Sequence, residues 1–333
     1  MNRLKRLFLL GLLVCAAAAA GLAWYARTPL NPPAPQVAVT LEEGAGLTAL
    51  AAQLQQQGVV QSAWLFTLLG RLTGQASQLQ AGTYLIDRPM SPWALYAMIR
   101  QGKSVQYSVR FIEGWNLAEM RVALNAAPAL RHDTAGMSDA QLAAALGMPD
   151  ATPEGMFFPD TYFYAPGSSD LDILKRAYAL QQQKLAAAWA ARAPGLPYQS
   201  SYQALIMASL IEKETAQSDE RPLIAAVFLN SLRLNMKLQT DPAVIYGMGS
   251  QYDGTLTRAD LEADTPYNTY TRYRLPPPPI ALASEASLQA ALHPATSAAL
   301  YFVARGDGTH QFSDTLAQHN AAVFRYQIMD RGS

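Results

Sequence analysis

Two glutamates, Glu212 and Glu214, lie near the end of a run that contains no glycine or proline, from Tyr202 to Ala216. At 100° per residue, the apolar side chains at positions 205–208, 210 and 211 point all the way round a helix. A helix that is apolar on every side is buried. Burying an ionised carboxylate is costly unless it is paired or its pKa rises, and a raised carboxyl pKa suits a general acid that works near neutral pH.

The two carboxylates are about 200° apart on this helix, so they cannot face one cleft together. Glu212 shares its face with small residues, and Glu214 shares its face with larger ones. Small neighbours leave room for a substrate, so we predict that Glu212 is the acid. We expect Glu214 to be held by Lys213, Arg221 or backbone donors. The alternative is that both glutamates form ion pairs at a helix end.

Polar side chains recur in two later segments, at positions 239–241 and 265–270. The first segment precedes a helix that opens with Pro242, where Asp241 fits an ordinary N-cap and Gln239 has no such structural role. Amide, hydroxyl and aromatic groups together suit a sugar, although the second segment also fits a rigid turn with packed tyrosines. The predicted substrate-binding residues are Gln239, Thr240, Asp241, Tyr246, Tyr267, Asn268, Thr269 and Tyr270.

Composition excludes several classes of protein. The chain has 333 residues with 25 basic and 25 acidic side chains, so it is not a generally basic nucleic-acid binder. A single cysteine, Cys15, allows neither an intrachain disulfide nor a four-cysteine zinc site. The four histidines form no H-E-x-x-H pattern, and no G-x-S-x-G occurs. We therefore predict no metal and no nucleotide cofactor.

The N-terminal segment predicts a membrane anchor. Residues 7–26 carry no charge, and twenty helical residues span about 30 Å, the thickness of a bilayer core. Arg3, Lys5 and Arg6 precede the run, which favours a cytoplasmic N-terminus, an inner-membrane location and a periplasmic bulk. A cleaved signal peptide is the alternative. The proline-rich residues 28–38 predict a stiff spacer that lifts the next domain off the membrane.

A strand, a Glu-Gly turn and a short helix occur twice, at Val37–Leu41 with Glu43 and at Val109–Ile112 with Glu113. We interpret both glutamates as contacts with helix N-termini. The fold class is predicted as α+β, with an N-terminal transmembrane helix, a small module and a larger mixed, helix-rich domain. The predicted domains are the cytoplasmic tip and anchor (1–27), the linker (28–38), a module (39–110) that resembles LysM-like domains, and a catalytic domain (111–330).

Four segments together resemble one known family. They are Leu210–Ala216 (LIEKETA), Leu238–Gly249 (LQTDPAVIYGMG), Pro266–Tyr270 (PYNTY) and Tyr301–Phe312 (YFVARGDGTHQF). In order and spacing they are similar to the endolytic murein transglycosylase family (MltG, YceG-like). The resemblance implies an inner-membrane enzyme with a LysM-like module, and its catalytic glutamate matches Glu212. This chain departs from the family pattern where Asn-Pro-Gly is replaced by Leu282-Ala-Ser284, and again at Gln318.

The resemblance also implies the reaction. Such enzymes cut the β-1,4 bond between N-acetylmuramic acid and N-acetylglucosamine in nascent glycan strands, leave a 1,6-anhydro end, and so terminate glycan elongation. The implied partners are peptidoglycan strands and peptidoglycan synthases or division proteins. One alternative is a muramidase-type hydrolase, which needs a second carboxylate such as Asp241 or Asp160. The other is a non-catalytic peptidoglycan-binding scaffold.

Overall fold

The structure is a computed structural model that describes residues 2–34, 36–42, 44–74, 76, 78–148 and 152–329, with side chains from residue 5 onward. Glu43 lies outside the described residues. The chain divides into two compact units, Met1–Tyr107 with Phe163–Gly167, and Ser108–Tyr162 with Ser168–Ser333. Helices predominate and the sheets are small, so the predicted α+β class is confirmed.

The first unit is built on a β-α-α-β arrangement with one helix before it and one after it. Its elements are α1 (Asn2–Arg27), β1 (Val37–Leu41), α2 (Leu47–Gln56), α3 (Ala63–Leu72), β2 (Gly82–Ile86) and α4 (Pro92–Arg100). The strands β1 and β2 pair antiparallel, with Val37 opposite Ile86. Phe66 of α3 stacks on Tyr96 of α4 at 4.3 Å between ring centroids. The LysM-like character of this unit stays a prediction.

The helix α1 is apolar and long enough over residues 5–27 to cross a membrane, with a mean hydropathy of 2.3. Its last turns do not stand apart from the rest of the unit. Leu22 and Tyr25 pack against the hydrophobic core of the first unit, and Leu30 is itself buried in that core. The backbone N–H of Leu30 donates to the carbonyl of Met90 at 2.8 Å. The predicted stiff spacer is therefore wrong at Leu30, because the N–H of this residue is hydrogen-bonded to Met90 and its side chain is packed in the core of the first unit.

The second unit begins within a two-stranded sheet of β3 (Tyr107–Arg110) and β4 (Thr161–Tyr164), inside which the chain passes from one unit to the other. Two strands near the end of the unit, β5 (Tyr301–Ala304) and β6 (His310–Ser313), form an antiparallel hairpin. The remaining elements are α5 (Leu117–Asn125), α6 (Asp139–Ala145), α7 (Asp170–Ala190), α8 (Ser201–Glu214), α9 (Arg221–Arg233), α10 (Asp241–Met248), α11 (Arg258–Glu262), α12 (Glu285–Leu292) and α13 (Leu316–Val323).

The helix α8 is the central element of the second unit. Every residue from Ala204 to Ile211 is buried, and the helix packs against α7, α9, α10 and α12. This confirms the expectation that its apolar residues are covered on all sides. The helix ends at Glu214 because Thr215 is extended, with φ −146° and ψ 140°. Glu212 and Glu214 therefore lie in the last turn, where the buried helix reaches the surface.

Candidate functional site

The carboxyl group of Glu212 lies at the edge of a cavity of about 830 Å³ and is 6% exposed. Its Oε1 is 3.3 Å from Nη2 of Arg221. Its Oε2 accepts hydrogen bonds from the backbone N–H of Ser284 at 2.9 Å and from the Ser284 hydroxyl. The cavity walls also carry Arg110, Glu113, Gly114, Glu119, Asp160, Lys213 and Glu214. The predicted catalytic glutamate thus reaches a space large enough for a sugar.

The partner of Arg221 differs from the prediction. We expected this arginine near Glu214, but its guanidinium, 11% exposed, pairs with Glu212. Arg221 is the first residue of α9 and directly follows the 3₁₀ turn Ser218–Glu220, which directs its side chain toward the Glu212 face of α8. Glu212 is therefore paired with a cation, as the ion-pair alternative has it for this residue, and its side chain also lines the cavity.

Glu214 has the surroundings that were predicted for Glu212. Its side chain lines the same cavity and a second one of about 430 Å³. Burial raises the pKa of Glu214 to about 7; the Thr240 hydroxyl lowers it and Asp241 raises it further. Each cause acts on the charged form in the usual way. The carboxyl group on this helix that is half-protonated near neutral pH is therefore Glu214.

The segment from Gln239 to Asp241 lies along the 430 Å³ cavity. Gln239 is exposed there and has φ 53°, a left-handed conformation that is uncommon for a residue with a side chain. Asp241 is the first residue of α10 rather than its N-cap, so the predicted capping role is wrong. Its Oδ1 instead accepts a hydrogen bond from the Tyr270 hydroxyl at 2.5 Å. Gln239, Asp241 and Tyr270 are therefore grouped beside Glu214.

Asn268 and Thr269 hold a turn. The buried Asn268 amide donates to three backbone carbonyls within residues 260–263 at 2.6–3.1 Å, and its Oδ1 accepts the Tyr270 N–H at 2.8 Å. The Thr269 hydroxyl accepts the Thr240 N–H at 2.9 Å and donates to the Thr240 carbonyl at 3.3 Å. These polar groups are used inside the protein, which favours the rigid-turn alternative, and substrate contact through Asn268 or Thr269 stays a prediction.

Tyr246 and Tyr267 pack edge to face, with ring centroids 5.0 Å apart. The Tyr246 hydroxyl donates to Oε2 of Glu154 at 3.0 Å. Tyr246 and Glu154 line a third cavity of about 700 Å³. That cavity shares Gly114 and Lys213 with the cavity of Glu212. Tyr246 thus lies next to the Glu212 cavity rather than in it.

Sequence reasoning missed Glu154. This carboxyl group is 6% exposed and accepts the backbone N–H groups of Leu117, at 3.0 Å, and Gly155, at 3.1 Å. Burial raises its pKa to about 7, although the bonds from Leu117, Tyr246 and Gly155 lower it. Its partners Leu117 and Tyr246 are 37 and 92 residues away in the chain. The only local signal was an acidic residue beside a buried aromatic segment.

No group of three or more histidine, cysteine, aspartate or glutamate side chains could hold a metal ion in the part of the chain that the structure describes. The functional groups of the site are carboxyl groups at the end of a buried helix, an arginine beside one of them, and the polar and aromatic side chains of the cavity walls. This combination is typical of an enzyme that transfers protons to and from a polar substrate.

Residues 39–325 match the model of the YceG-like family, and the chain belongs to this family. A relative in Bacillus subtilis (strain 168), "Endolytic murein transglycosylase", is 33% identical over 87% of this chain and 84% of its own length. A relative with the same description in Streptococcus pneumoniae (strain D39) is 26% identical over 80% of this chain, which spans 54% of that protein. These matches confirm the predicted family and the prediction that the chain is an enzyme.

A crystal structure of a YceG-like protein from Listeria monocytogenes has a similar fold. It shares 26% sequence identity with this chain and superposes with a TM-score of 0.53. The match covers 86% of this chain and 98% of that chain.

Proposed function

We propose that the protein is an endolytic peptidoglycan lytic transglycosylase with Glu212 as its acid and base. It cleaves the β-1,4 bond between N-acetylmuramic acid and N-acetylglucosamine in nascent strands and so terminates their elongation. The observation that carries this proposal is the carboxyl group of Glu212 at the edge of the 830 Å³ cavity. Membership of the YceG-like family and the names of the relatives support it.

The reaction needs one carboxyl group. Protonated Glu212 donates its proton to the glycosidic oxygen, and the bond from C1 of the muramic sugar to that oxygen breaks. The carboxylate then takes the proton of the C6 hydroxyl of the same sugar, whose oxygen bonds to C1. The product ends in a 1,6-anhydro ring and no water is consumed. The acetamido group of the muramic sugar assists departure.

The contacts of Glu212 suit the second half of this reaction, because Arg221 and Ser284 stabilise a carboxylate. The first half requires a proton on Glu212. A sugar that fills the cavity removes water from the carboxyl group, and loss of water favours its neutral form.

The predicted binding residues divide into two groups. Gln239, Asp241, Tyr246 and Tyr270 line cavities and have side chains positioned to contact a strand or its substituents. Thr240 donates its backbone N–H to Thr269 and so fixes the segment that carries Gln239 and Asp241. Tyr267 packs against the ring of Tyr246. In the proposal, the first group affects substrate affinity and the second group affects the shape of the walls.

The proposal places the enzyme at the inner membrane, with residues 7–26 as a single-pass anchor, a cytoplasmic N-terminus and the rest in the periplasm. The apolar helix α1 supports the anchor. We retain the division into anchor, linker, LysM-like module and catalytic domain as part of the proposal, with synthases or division proteins as candidate partners.

Digestion of purified glycan strands tests the assignment. Glu212→Gln keeps the shape and removes the proton donor, so the rate of cleavage should fall about 10²–10⁴-fold. Glu214→Gln is the matched control on the opposite face and should retain cleavage. Mass spectrometry should find 1,6-anhydro ends, one water lighter than hydrolysed ends. Full activity of Glu212→Gln would exclude Glu212 as the acid, whereas absence of cleavage by the wild type would leave the non-catalytic scaffold as the better explanation of the fold.

A muramidase-type hydrolase remains a second candidate because Asp160 lines the same cavity as Glu212. Asp241 lines a different cavity, which makes it the weaker second carboxylate. Products with reducing ends that are lost in Asp160→Asn would establish hydrolysis in place of ring closure.

A further inference from the structure

A partly buried glutamate and histidine, Glu220 and His310, form a pair at the turn that leads into α9. Oε1 of Glu220 accepts the backbone N–H of His310 at 2.7 Å, and Oε2 lies 2.7 Å from Nδ1 of the same residue. The side chains are 14% and 12% exposed. Because a carboxylate can only accept, the proton of the histidine ring is on Nδ1. Burial alone would raise the pKa of Glu220, but the bonds from His310 and Thr215 lower it overall.

Glu220 joins three elements at one point. It is the residue before α9, yet its carboxylate makes no capping bond to that helix. It bonds instead to His310 at the start of β6 and accepts a hydrogen bond from the Thr215 hydroxyl at 3.4 Å. Thr215 directly follows Glu214 at the end of α8. The turn between the two helices is thus fixed from both sides.

Arg221 is the next residue, and its guanidinium contacts Glu212. The chain therefore places an anchored residue, Glu220, directly before the arginine of the site. We propose that the Glu220–His310 pair is a positioning device that holds the guanidinium of Arg221 against the carboxylate of Glu212. This inference rests on the proposed role of Glu212 and adds two positioning residues that sequence reasoning had treated as structural or had not considered.

The consequence is electrostatic. Within the described part of the chain, Arg221 is the cationic residue with a nitrogen within 4 Å of Glu212. Lys213 donates to the carbonyl of Gly114 instead, and Ser284 supplies hydrogen bonds without charge. The other charged groups that face the cavity are Arg110, Glu113, Glu119, Asp160 and Glu214. Displacing Arg221 therefore removes the cationic partner of the Glu212 carboxyl group.

One test is the rate of strand cleavage by the full chain in detergent micelles. In Arg221→Met kcat should fall by about tenfold, because the guanidinium stabilises the negative charge that develops on Glu212 as its proton leaves. Glu220→Gln should lower kcat in the same way by a smaller factor. The double variant should match Arg221→Met, because Glu220 acts through Arg221.

Controls separate positioning from folding. His310→Gln retains a side-chain N–H that can donate to Glu220 and should keep most of the wild-type kcat, whereas His310→Leu should behave like Glu220→Gln. Arg258→Met removes an exposed ion pair with Glu262 on α11 and should change nothing. Additive losses of kcat in the double variant, or an unchanged kcat in Glu220→Gln and His310→Leu, would overturn the inference.

A second measurement needs no activity, so failure of the proposed function would not remove the test. In protein labelled with ¹⁵N-arginine, the guanidinium protons of Arg221, assigned from Arg221→Lys, should exchange slowly in the wild type. They should exchange quickly in Glu220→Gln and in His310→Leu, and stay slow in His310→Gln. Slow exchange in all four proteins would show that Arg221 holds its position without the pair.

Discussion

The pH dependence of stability should carry a contribution from Glu154. Its folded-state pKa of about 7 stands above the ordinary value of 4.5, because burial opposes the charged form more than its hydrogen bonds favour it. A carboxyl group with a raised pKa contributes stability below pH 4.5 and loses it as the pH rises through 7. The full difference corresponds to about 3.4 kcal/mol, of which about 2.5 kcal/mol falls between pH 5 and pH 8.

The assay is thermal unfolding of the full chain in detergent at pH 5 and pH 8. Glu154→Gln cannot ionise, so the wild type should lose about 2.5 kcal/mol relative to this variant between the two pH values. In a domain of about 200 residues that is a relative shift in Tm of roughly 5–10 °C. Glu113→Gln is the control, since Glu113 is exposed and solvated in both states. If the wild type and Glu154→Gln change in parallel between pH 5 and pH 8, burial of Glu154 does not raise its pKa and the reasoning fails.

Three further predictions concern the walls of the site. Asn268→Ala leaves the turn at residues 260–263 without its amide, so the protein should lose about 3 kcal/mol of stability, measured by melting. The KM for strand digestion should be unchanged, and a raised KM at unchanged stability would support the substrate-binding role. Ser284→Ala removes the hydrogen bond from the hydroxyl to Glu212 and keeps the one from the backbone N–H, so kcat should fall by about tenfold or less. A larger loss would argue that the hydroxyl takes part in the chemistry. Gln239→Gly relieves a left-handed backbone and should stabilise the protein by about 1 kcal/mol while raising KM; an unchanged KM would remove Gln239 from the binding surface.

The helices and strands that rest on local pattern could be predicted closely. The helix at Ala63–Leu72, the strand at Gly82–Ile86 and the helix at Pro92–Arg100 match the structure residue for residue. Each has a clear local boundary, such as the Ser62 and Ser91 caps. The burial of α8 was also predictable, because apolar residues on all sides of a helix leave no face for water.

The pairing of side chains across the chain could not be predicted in the same way. Ser169 caps α7, and the next residue, Asp170, accepts the N–H and hydroxyl of Thr134, a partner that no local pattern indicates. Arg221 was assigned to the wrong glutamate because helical angles show which residues share a face and not where the next helix places its first side chain. The two carboxyl groups with raised pKa, Glu154 and Glu214, likewise depend on partners that only the folded chain brings near.

Lys213 stands at the border shared by the Glu212 cavity and the cavity of Tyr246, above the carbonyl of Gly114. Lys213 therefore lines a second open space beside the cavity that the Glu212 carboxyl group faces. Under the proposed function, a polymer lying there has sugar units to the left and right of the bond being cut. Such an arrangement makes no use of a strand terminus, which is the geometric requirement for scission in the interior of a chain.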